Sequence, residues 1–263
     1  MEQYFYDLHC HTVDSRDSIA KLKSLVEVAK IRGLDGIAIT DHNKTYKGPL
    51  NIDGIEIIPG NELTLKGGGH LLLYFITEEM PQGLILEEAV SIAKDQGGFA
   101  VLAHPFRSEH GWIKNNLGNP EKIKRGLEIV DGLESGNGSD PQKLRNMIMK
   151  TKEDNSGISL FLTAGSDSHM PAQVGLAATK VNQRLTKDNF SDVLMSGEII
   201  VRTEFQRFGE KIWLFKKYIF LISQITMINR SEKMKNLFYN IFVRNYFRVH
   251  NIALGRINFN YKK

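Results

Sequence analysis

Histidine and carboxylate side chains recur in short pairs along the first two thirds of the chain. His9 and His11 are two residues apart, and so are Asp167 and His169. Side chains two residues apart on a β-strand project from the same side, so each pair can offer two ligands to one metal ion. Burying these ionisable groups without a partner or a metal would cost several kcal/mol. The pattern therefore favours a metal site over ordinary core packing.

Short apolar runs of the kind that form buried strands come just before most of these groups. The clearest runs occupy residues 36–40, 55–58, 71–76 and 99–103. Stretches with apolar residues at helical spacing alternate with them or follow them, at residues 18–33, 84–96 and 141–152. Ser18 is predicted to cap the first helix and Gly33 to end it. This alternation predicts an α/β fold with a mostly parallel sheet, whose strand ends converge on one face.

Five ordered motifs place histidines and carboxylates at predicted strand ends between residues 3 and 181. They are Asp7-Leu-His9-Cys-His11-Thr12 followed by Ser15-Arg-Asp17-Ser18, then Ile39-Thr-Asp41-His42, Pro59-Gly-Asn-Glu62 with the later His70, Ala103-His104-Pro105, and Gly165-Ser-Asp167-Ser-His169. Together they resemble the polymerase and histidinol phosphatase (PHP) domain family of metal-dependent phosphoesterases. The resemblance implies a distorted (β/α)7 barrel of the TIM type, with a trinuclear metal centre at the C-terminal ends of its strands.

The same resemblance implies nine metal ligands, and this sequence has a suitable residue at every position. These nine ligand positions are His9, His11, Glu62 and Asp167 for the first ion, His70 and His104 with a bridging Glu62 for the second, and Asp17, His42 and His169 for the third. Two or three divalent ions are expected, and zinc, manganese and iron all fit the donor set. The carboxylate of Asp17 favours a harder ion at the third position.

The resemblance also implies a hydrolase of phosphomonoesters, with Glu62, Asp167 and His169 as catalytic residues. A metal-bridging hydroxide is the expected nucleophile, because a bound ion lowers the pKa of water to about 7. Arg107, three residues after His104, is predicted to bind the substrate phosphate, since a guanidinium matches phosphate geometry. A surface ion pair is the alternative for this arginine. The expected substrate is a small phosphorylated molecule or a nucleotide.

Some of these residues have a second interpretation. Asp17 could cap the helix that begins near Ser18 in addition to binding metal, or instead of it. His70 follows three glycines, so it could be a solvated turn residue. Trp112 belongs to a long predicted loop over residues 108–120, where it could stack on a nucleobase or pack in the core.

Residues outside the nine positions are predicted to support or surround the site. Asp7 and Asp41 can orient neighbouring histidines. Glu134 or Asn137, near another predicted strand end, could contact the substrate or the metal ligands. Two further histidines match no motif and are predicted to lie on the surface, namely His110 and His250.

Charge and composition change near residue 205. Residues 1–204 carry 22 Lys/Arg against 28 Asp/Glu, whereas residues 205–263 carry 12 against 2 and hold 13 of the 24 aromatic residues. We therefore predict a PHP domain at 1–204 and a basic, mainly helical extension at 205–263. The extension could pack on the barrel or a second subunit, lie on an acidic membrane surface, or contact nucleic acid. Its apolar run is interrupted by Lys216 and Lys217, which argues against a transmembrane helix.

Two other functions fit the same residues. The site could belong to a nuclease that acts on 5′-phosphorylated nucleic acid and holds it with the basic extension, in which case binding would depend steeply on salt. The site could also stabilise a barrel that serves as a scaffold without catalysis.

The cysteine content bears on the compartment. Cys10 is the single cysteine, which excludes an internal disulfide, and no leader segment precedes the first motif. We therefore expect a protein of the reducing cytoplasm, with the extension as a candidate for peripheral membrane contact.

Overall fold

A computed structural model describes residues 2–202 and 260–262 of the chain. Its strands are β1 Tyr4–Cys10, β2 Gly36–Ile39, β3 Asn51–Ile52, β4 Ile55–Thr64, β5 His70–Tyr74, β6 Phe99–Leu102, β7 Gly132–Asn137, β8 Phe161–Gly165, β9 Ala177–Val181 and β10 Glu198–Val201. Its helices are α1 Leu22–Ile31, α2 Leu86–Asp95, α3 Trp112–Asn115, α4 Pro120–Ile129, α5 Gln142–Asp154 and α6 Phe190–Met195, with a 3-10 turn at Pro171–Gln173. The helices predicted over 84–96 and 141–152 are confirmed as α2 and α5.

Ten strands of the described residues form one sheet in the order β10-β9-β1-β2-β4-β5-β6-β7-β8, with β3 paired to β4. Strands β1, β2 and β4 are parallel, as are β6, β7 and β8. Strand β5 is antiparallel to both of its neighbours, and β9 and β10 are antiparallel additions beside β1. Among the barrel strands, β1, β2, β4, β6, β7 and β8 run in the same direction, as predicted, and β5 is the exception. Residues 65–69 between β4 and β5 are too few for the crossover that a parallel pair requires.

The sheet curls until β8 lies beside β1. Cys10 and Ser168 form a bridge between the two strand ends. In this bridge the His11 N–H donates to the Ser168 carbonyl at 2.9 Å, and the Ser168 N–H donates to the His9 carbonyl at 3.3 Å. The seven strands β1, β2 and β4–β8 thus surround a nearly closed barrel, which confirms the fold that the resemblance implies.

Aromatic side chains fill the barrel beneath these strand ends. The rings of Tyr74, Phe161 and Phe190 are fully buried, and the Phe190 ring centroid lies 5.2 Å from that of Tyr74 and 5.8 Å from that of Phe161. Burial of each such ring contributes about 1.5–3 kcal/mol. This packed interior holds the strand ends, and the polar side chains on them, in fixed relative positions.

Helix α1 begins later than predicted. Ser18 does not cap it, because the N-cap residue is Lys21; the Ser18 hydroxyl instead lies 3.0 and 3.1 Å from the carbonyl oxygens of His11 and His169, which share its proton. The helix starts at Leu22 instead. Its predicted end is confirmed, since Gly33 has a φ of 68°, a left-handed conformation that glycine adopts without strain. Ser18 therefore links two chain segments that carry proposed ligands.

The extension predicted for residues 205–263 lies outside the described residues except at 260–262. Tyr261 stacks on Phe5 of β1 with 5.0 Å between ring centroids, and its hydroxyl donates to the Gly175 carbonyl at 2.7 Å. The helical character of the extension and its three proposed partners stay predictions, as does the surface position of His250. Within the described ranges, no helix is both long enough and apolar enough to span a bilayer.

Candidate metal centre

Glu62 lies at the centre of the site. It is a buried residue near the end of β4, and its two carboxylate oxygens face different histidines. Oε1 lies 2.9 Å from both His70 Nδ1 and His104 Nε2. Oε2 lies 3.3 Å from His9 Nε2 and 3.2 Å from His11 Nε2. The carboxylate thus joins two groups of imidazoles, as a residue that bridges two ions must.

The first group gathers at the end of β1. The Nε2 atoms of His9 and His11 are 3.1 Å apart, and Asp167 Oδ1 lies 3.6 and 3.3 Å from them. Two nitrogens held about 2.0–2.1 Å from one zinc ion are themselves about 3 Å apart, so this spacing fits a metal ion. Glu62 Oε2 faces the same nitrogens and is buried with no hydrogen-bond partner among the residues that the structure describes. The donor set therefore fits a divalent cation at this point.

The second group depends on the antiparallel direction of β5. His70 is the first residue of that strand, so it lies on the face where the parallel strands end. Its side chain is 11% exposed, which contradicts the solvated-turn interpretation. His104 follows β6 with a φ of 29°, in the left-handed region that strains residues other than glycine. Such strain is common at functional sites.

The third group is the most open. Asp17 Oδ2 lies 2.9 Å from His169 Nε2 and 3.6 Å from His42 Nε2. The side chains of Asp17 and His42 are 40% and 24% exposed. Helix α1 begins at Leu22 with Lys21 as its N-cap residue and has no side-chain cap, which contradicts the alternative role of Asp17 as a helix cap. Burial would raise the pKa of Asp17, but hydrogen bonds from the two histidines hold it well below its usual range.

The structure brings all nine ligand positions together. Four overlapping groups of three residues have ligand atoms within 4.8 Å of one another. They are His9 with His11 and Asp167, His9 with Glu62 and His104, His42 with Glu62 and His70, and His11 with His42 and His169. Asp17 adjoins the last group through His169.

Two of the imidazoles are oriented by acceptors behind them. His9 Nδ1 donates to Glu134 Oε1 at 2.8 Å, because a carboxylate only accepts. The Ser15 hydroxyl donates to Asp41 at 2.8 Å, so its oxygen accepts from His11 Nδ1 at 3.1 Å. In both rings Nε2 is left as the acceptor that a metal ion needs. Asp41 thus orients His11 through Ser15, as predicted for a neighbouring histidine.

Asp7 supports the site in a different way from the one predicted. It is fully buried and accepts hydrogen bonds from the backbone N–H groups of His9, Ser166 and Gly175. It holds the backbone of β1 against the chain after β8 and does not bond to an imidazole among the described contacts. Burial raises the pKa of its carboxyl group, although these hydrogen bonds oppose the shift.

Charges within the site balance one another. Burial alone would raise the pKa of Glu62, but the surrounding histidines, His9 first, hold that pKa well below its usual range. Burial would lower the pKa of His9, but Glu134 and Glu62 outweigh it and raise that pKa well above its usual value. A proton and a metal ion therefore compete for the His9 ring.

Sequence comparisons agree with this geometry. A PHP domain family model matches residues 7–105, and a PHP-associated model matches residues 159–199. Two uncharacterised proteins of Methanocaldococcus jannaschii are similar to this chain. The first is 34% identical over 116 residues, which are 38% of this chain and 67% of that protein. The second is 31% identical over 179 residues, which are 67% of this chain and 70% of that protein. The chain belongs to the PHP domain family. A Caldicellulosiruptor saccharolyticus protein named as a probable phosphatase is 25% identical over 244 residues, 81% of this chain and 98% of that protein.

Solved structures share the fold of this PHP protein at low sequence identity. PsfC from Pseudomonas syringae PB-5123 has a TM-score of 0.65 at 18% identity, over 83% of this chain and 100% of that one. Endonuclease Q from Pyrococcus furiosus has a TM-score of 0.57 at 18% identity, over 75% and 58% of the two chains. A structure of endonuclease Q with a 27-mer duplex and an abasic lesion at its active site scores 0.57 at 18% identity, over 76% and 58% of the two chains. At such identity the likeness concerns the fold alone.

Arg107 lies at the edge of the PHP metal site and is held by two carboxylates. Its Nη1 donates to Asp167 Oδ2 at 2.7 Å, and its Nε donates to Asp140 Oδ1 at 2.8 Å. The side chain is 23% exposed. Burial would lower the pKa of Arg107, but Asp140 and Asp167 outweigh it and raise that pKa. The sequence prediction did not include this bond to a proposed metal ligand.

The segment after Arg107 packs partly in the core and partly against His70. Trp112 is buried in the apolar core, so the packing interpretation holds and stacking on a nucleobase does not. His110 is exposed as predicted, but its ring lies 4.9 Å from that of His70, and its carbonyl accepts from the His70 N–H at 3.0 Å. This proximity to a ligand position was missed, because no motif marks a histidine that approaches through a loop.

Proposed function

We propose that this PHP protein hydrolyses phosphomonoesters at a trinuclear metal centre formed by the nine ligand positions. The arrangement around Glu62 is the observation that carries the proposal. One carboxylate oxygen faces His9 and His11, and the other faces His70 and His104 at 2.9 Å. His42 Nδ1 also lies 3.1 Å from the first of these oxygens, so five imidazoles surround one buried carboxylate, an arrangement that two adjacent cations account for.

The chain's own residues supply the scaffold for this reaction. Bound divalent ions would lower the pKa of water and offset the negative charge of the phosphate oxygens. Glu62 would be shared by the first two ions, Asp167 would hold the first, and His169 the third. The buried ion pairs and hydrogen bonds behind these side chains fix their positions before a substrate arrives, so little reorganisation is needed during the reaction.

Exposure indicates where a substrate reaches the centre. Most of the ligand positions are buried, whereas Asp17, His42 and Arg107 remain 40%, 24% and 23% exposed. We propose that the phosphate enters on this side and that Arg107 contacts it. A guanidinium has five N–H donors, and the hydrogen bonds to Asp140 and Asp167 use only some of them. Its charge would offset the anion in a partly desolvated site.

The proposed substrate is a small phosphorylated molecule or a nucleotide. The relative named as a probable phosphatase supports the reaction class, because the similarity extends over 81% of this chain. Zinc, manganese and iron remain the proposed ions, since imidazole and carboxylate donors suit all three.

The deciding experiment measures phosphate release with added Mn²⁺ or Zn²⁺ from a panel of substrates. The panel contains sugar phosphates, histidinol phosphate, nucleoside mono- and bisphosphates, and 5′-phosphorylated oligonucleotides. Glu62→Gln keeps the size of the side chain but loses the charge shared between the ions, and should abolish release. Asp35→Asn is the matched control, because this buried carboxylate binds Phe5 N–H and Lys262 and touches no ligand position.

The outcomes separate the candidate functions. Metal-dependent release that Glu62→Gln abolishes and Asp35→Asn retains would support the proposal. No release from any substrate by metal-loaded protein would overturn it and favour a scaffold. Equal release by Glu62→Gln and the wild type would show that the hydrolysis occurs elsewhere.

A nuclease is the second candidate function. The observation that favours it is the charge of residues 205–263, with 12 Lys/Arg against 2 Asp/Glu, next to a PHP domain. Solved endonuclease Q structures show that this fold also occurs in a nuclease. If the protein is a nuclease, it should hydrolyse the oligonucleotides of the panel faster than the small substrates. Its affinity for the oligonucleotides should also fall steeply as the salt concentration rises. A shallow salt dependence with preference for small substrates would exclude it.

A further inference from the structure

Glu134 is a buried carboxylate that lies behind the proposed metal ligands. It belongs to β7 and its side chain is fully buried. Three donors surround it within the described structure. They are His9 Nδ1 at 2.8 Å on Oε1, and the His104 backbone N–H at 2.8 Å and Asn137 Nδ2 at 3.1 Å on Oε2. The side chain thus connects β7 to the end of β1 and to the end of β6.

The two contacts to ligand positions serve different purposes. The bond to His9 fixes the proton on Nδ1, which leaves Nε2 to face His11 and Glu62. The bond to His104 holds its backbone, which has a φ of 29° and would relax without support. His9 is a proposed ligand of the first ion and His104 of the second. One carboxylate therefore sets the geometry of both.

We propose that Glu134 is a positioning residue that couples the first two metal sites, by fixing the tautomer of His9 and the backbone conformation of His104. This inference rests on the proposed metal centre. It assigns Glu134 no contact with the substrate, because its oxygens are occupied by donors from the protein and its side chain has no exposed surface.

A glutamine cannot take over this role. All three groups around Glu134 are donors, and an amide presents an NH₂ group to at least one of them. If the NH₂ faces His9, the ring must turn its protonated nitrogen towards the metal site. If the NH₂ faces His104, the strained backbone loses its acceptor. Either orientation of Glu134→Gln therefore damages one site and, through the shared Glu62, the other.

The experiment compares zinc binding in wild-type protein, Glu134→Gln and Asp35→Asn. Zinc affinity is measured by competition with a chelator, and zinc content by elemental analysis after dialysis. Nitrogen-15 NMR of the zinc-loaded protein, assigned with His9→Asn, reports which ring nitrogen of His9 carries the proton. We expect affinity to fall about 10- to 100-fold in Glu134→Gln, which is the usual effect of losing a partner of a metal ligand. Asp35→Asn should bind zinc as the wild type does.

The NMR signature separates positioning from general destabilisation. In wild-type protein His9 should bind zinc through Nε2 and show a hydrogen-bonded Nδ1–H, and this pattern should be lost in Glu134→Gln. Unchanged affinity and an unchanged His9 signal in Glu134→Gln would overturn the inference. If that variant does not fold, the wild-type spectrum decides, since zinc on Nδ1 or an unbonded Nδ1–H would also overturn it.

These readouts do not depend on hydrolysis. Normal zinc binding by Glu134→Gln would contradict the role of Glu134 even if the wild type is an active phosphoesterase. Reduced zinc affinity and an altered His9 signal in Glu134→Gln, together with a wild type that releases no phosphate, would support the role of Glu134 and contradict the proposed function. Wild-type protein that binds no zinc would defeat both.

Discussion

The Nε2 atoms of His9 and His11 lie 3.1 Å apart, and each ring has its Nδ1 hydrogen engaged on its other side. Glu134 accepts that hydrogen from His9, and the Ser15 hydroxyl accepts it from His11. Two nitrogen lone pairs that face each other at this distance repel unless a cation lies close to both. The orientation of these rings is therefore set for metal binding by residues that are not ligands themselves.

Ser15→Ala is expected to weaken zinc binding by about tenfold, at the low end for loss of such a partner. The Ser15 oxygen accepts from His11 Nδ1 and from the His42 backbone N–H at 2.9 Å, so its loss frees one ring and loosens a second ligand position. Chelator competition measures the change. Ser196→Ala is the control, because its hydroxyl bonds only to the Val193 carbonyl in the described structure. Equal zinc affinity in Ser15→Ala and the wild type would contradict the prediction.

Arg107→Lys is expected to raise KM about tenfold or more with little change in zinc content. Lysine keeps the charge but lacks the fork that matches a phosphate, and a hydrogen bond to a charged group is worth about 1.5–3 kcal/mol. Steady-state kinetics on the best substrate of the panel measure KM and kcat separately. The opposite pattern, with KM unchanged and zinc lost, would show that Arg107 serves only to hold Asp167.

The strand-end motifs predicted that histidines and carboxylates meet on one face, because parallel strands bring their ends together, and the family resemblance supplied the full set of nine positions. His9 and His11 share a strand, and their spacing alone predicts a common ligand point. The position of His70 could not be derived in this way, since β5 runs antiparallel and presents its first residue to that face. The prediction that α1 begins at Ser18 is wrong, and Ser18 instead bonds to the His169 carbonyl, a contact across 151 residues that no local pattern contains.

The residues that hydrogen-bond to the proposed metal ligands were harder to predict than the ligands themselves. From the sequence, Glu134 and Asn137 are both candidates to contact the substrate or the metal ligands, and neither has a predicted partner. The bond from His9 to Glu134 spans 125 residues, so local spacing does not reveal it. The role of Arg107 in phosphate binding stays a prediction, and its bonds to Asp140 and Asp167 were not predicted because they depend on how the loops after three strands pack together. Local spacing determines which side chains share a face, whereas tertiary packing determines what stands behind them.

Tyr261→Phe should reduce stability at pH 9 but not at pH 11. Burial raises the pKa of Tyr261 to about 12 from an ordinary value of 10.0. A folded pKa above the unfolded one stabilises the protein below pH 10, and this contribution is lost as the pH rises from 10 through 12. At pH 9 the variant lacks the bond to the Gly175 carbonyl, worth about 1 kcal/mol. At pH 11 the wild type has lost stabilisation from the raised pKa of Tyr261 that is about as large as the hydrogen bond missing in the variant, so the two proteins should be equally stable.

Urea unfolding of both proteins at the two pH values measures these differences. The other buried tyrosines titrate equally in the two proteins, so the comparison isolates Tyr261. A stability difference that stays constant between pH 9 and pH 11 would contradict the prediction.

Gly69→Ala should disturb the second metal site, whereas Gly67→Ala should not. Both glycines have a positive φ, of 98° and 88°, so alanine is strained at either position, by about 1–2 kcal/mol. A Cβ at Gly69 would lie 2.6 Å from Trp112 Cα, but a Cβ at Gly67 would meet nothing within 4 Å. Because Trp112 is packed in the core, the strand start at His70 must move instead. We expect Gly69→Ala to lower the melting temperature further than Gly67→Ala and to lose zinc, as measured by thermal unfolding and elemental analysis. Equal zinc content in the two variants would show that the contact with Trp112 does not fix His70.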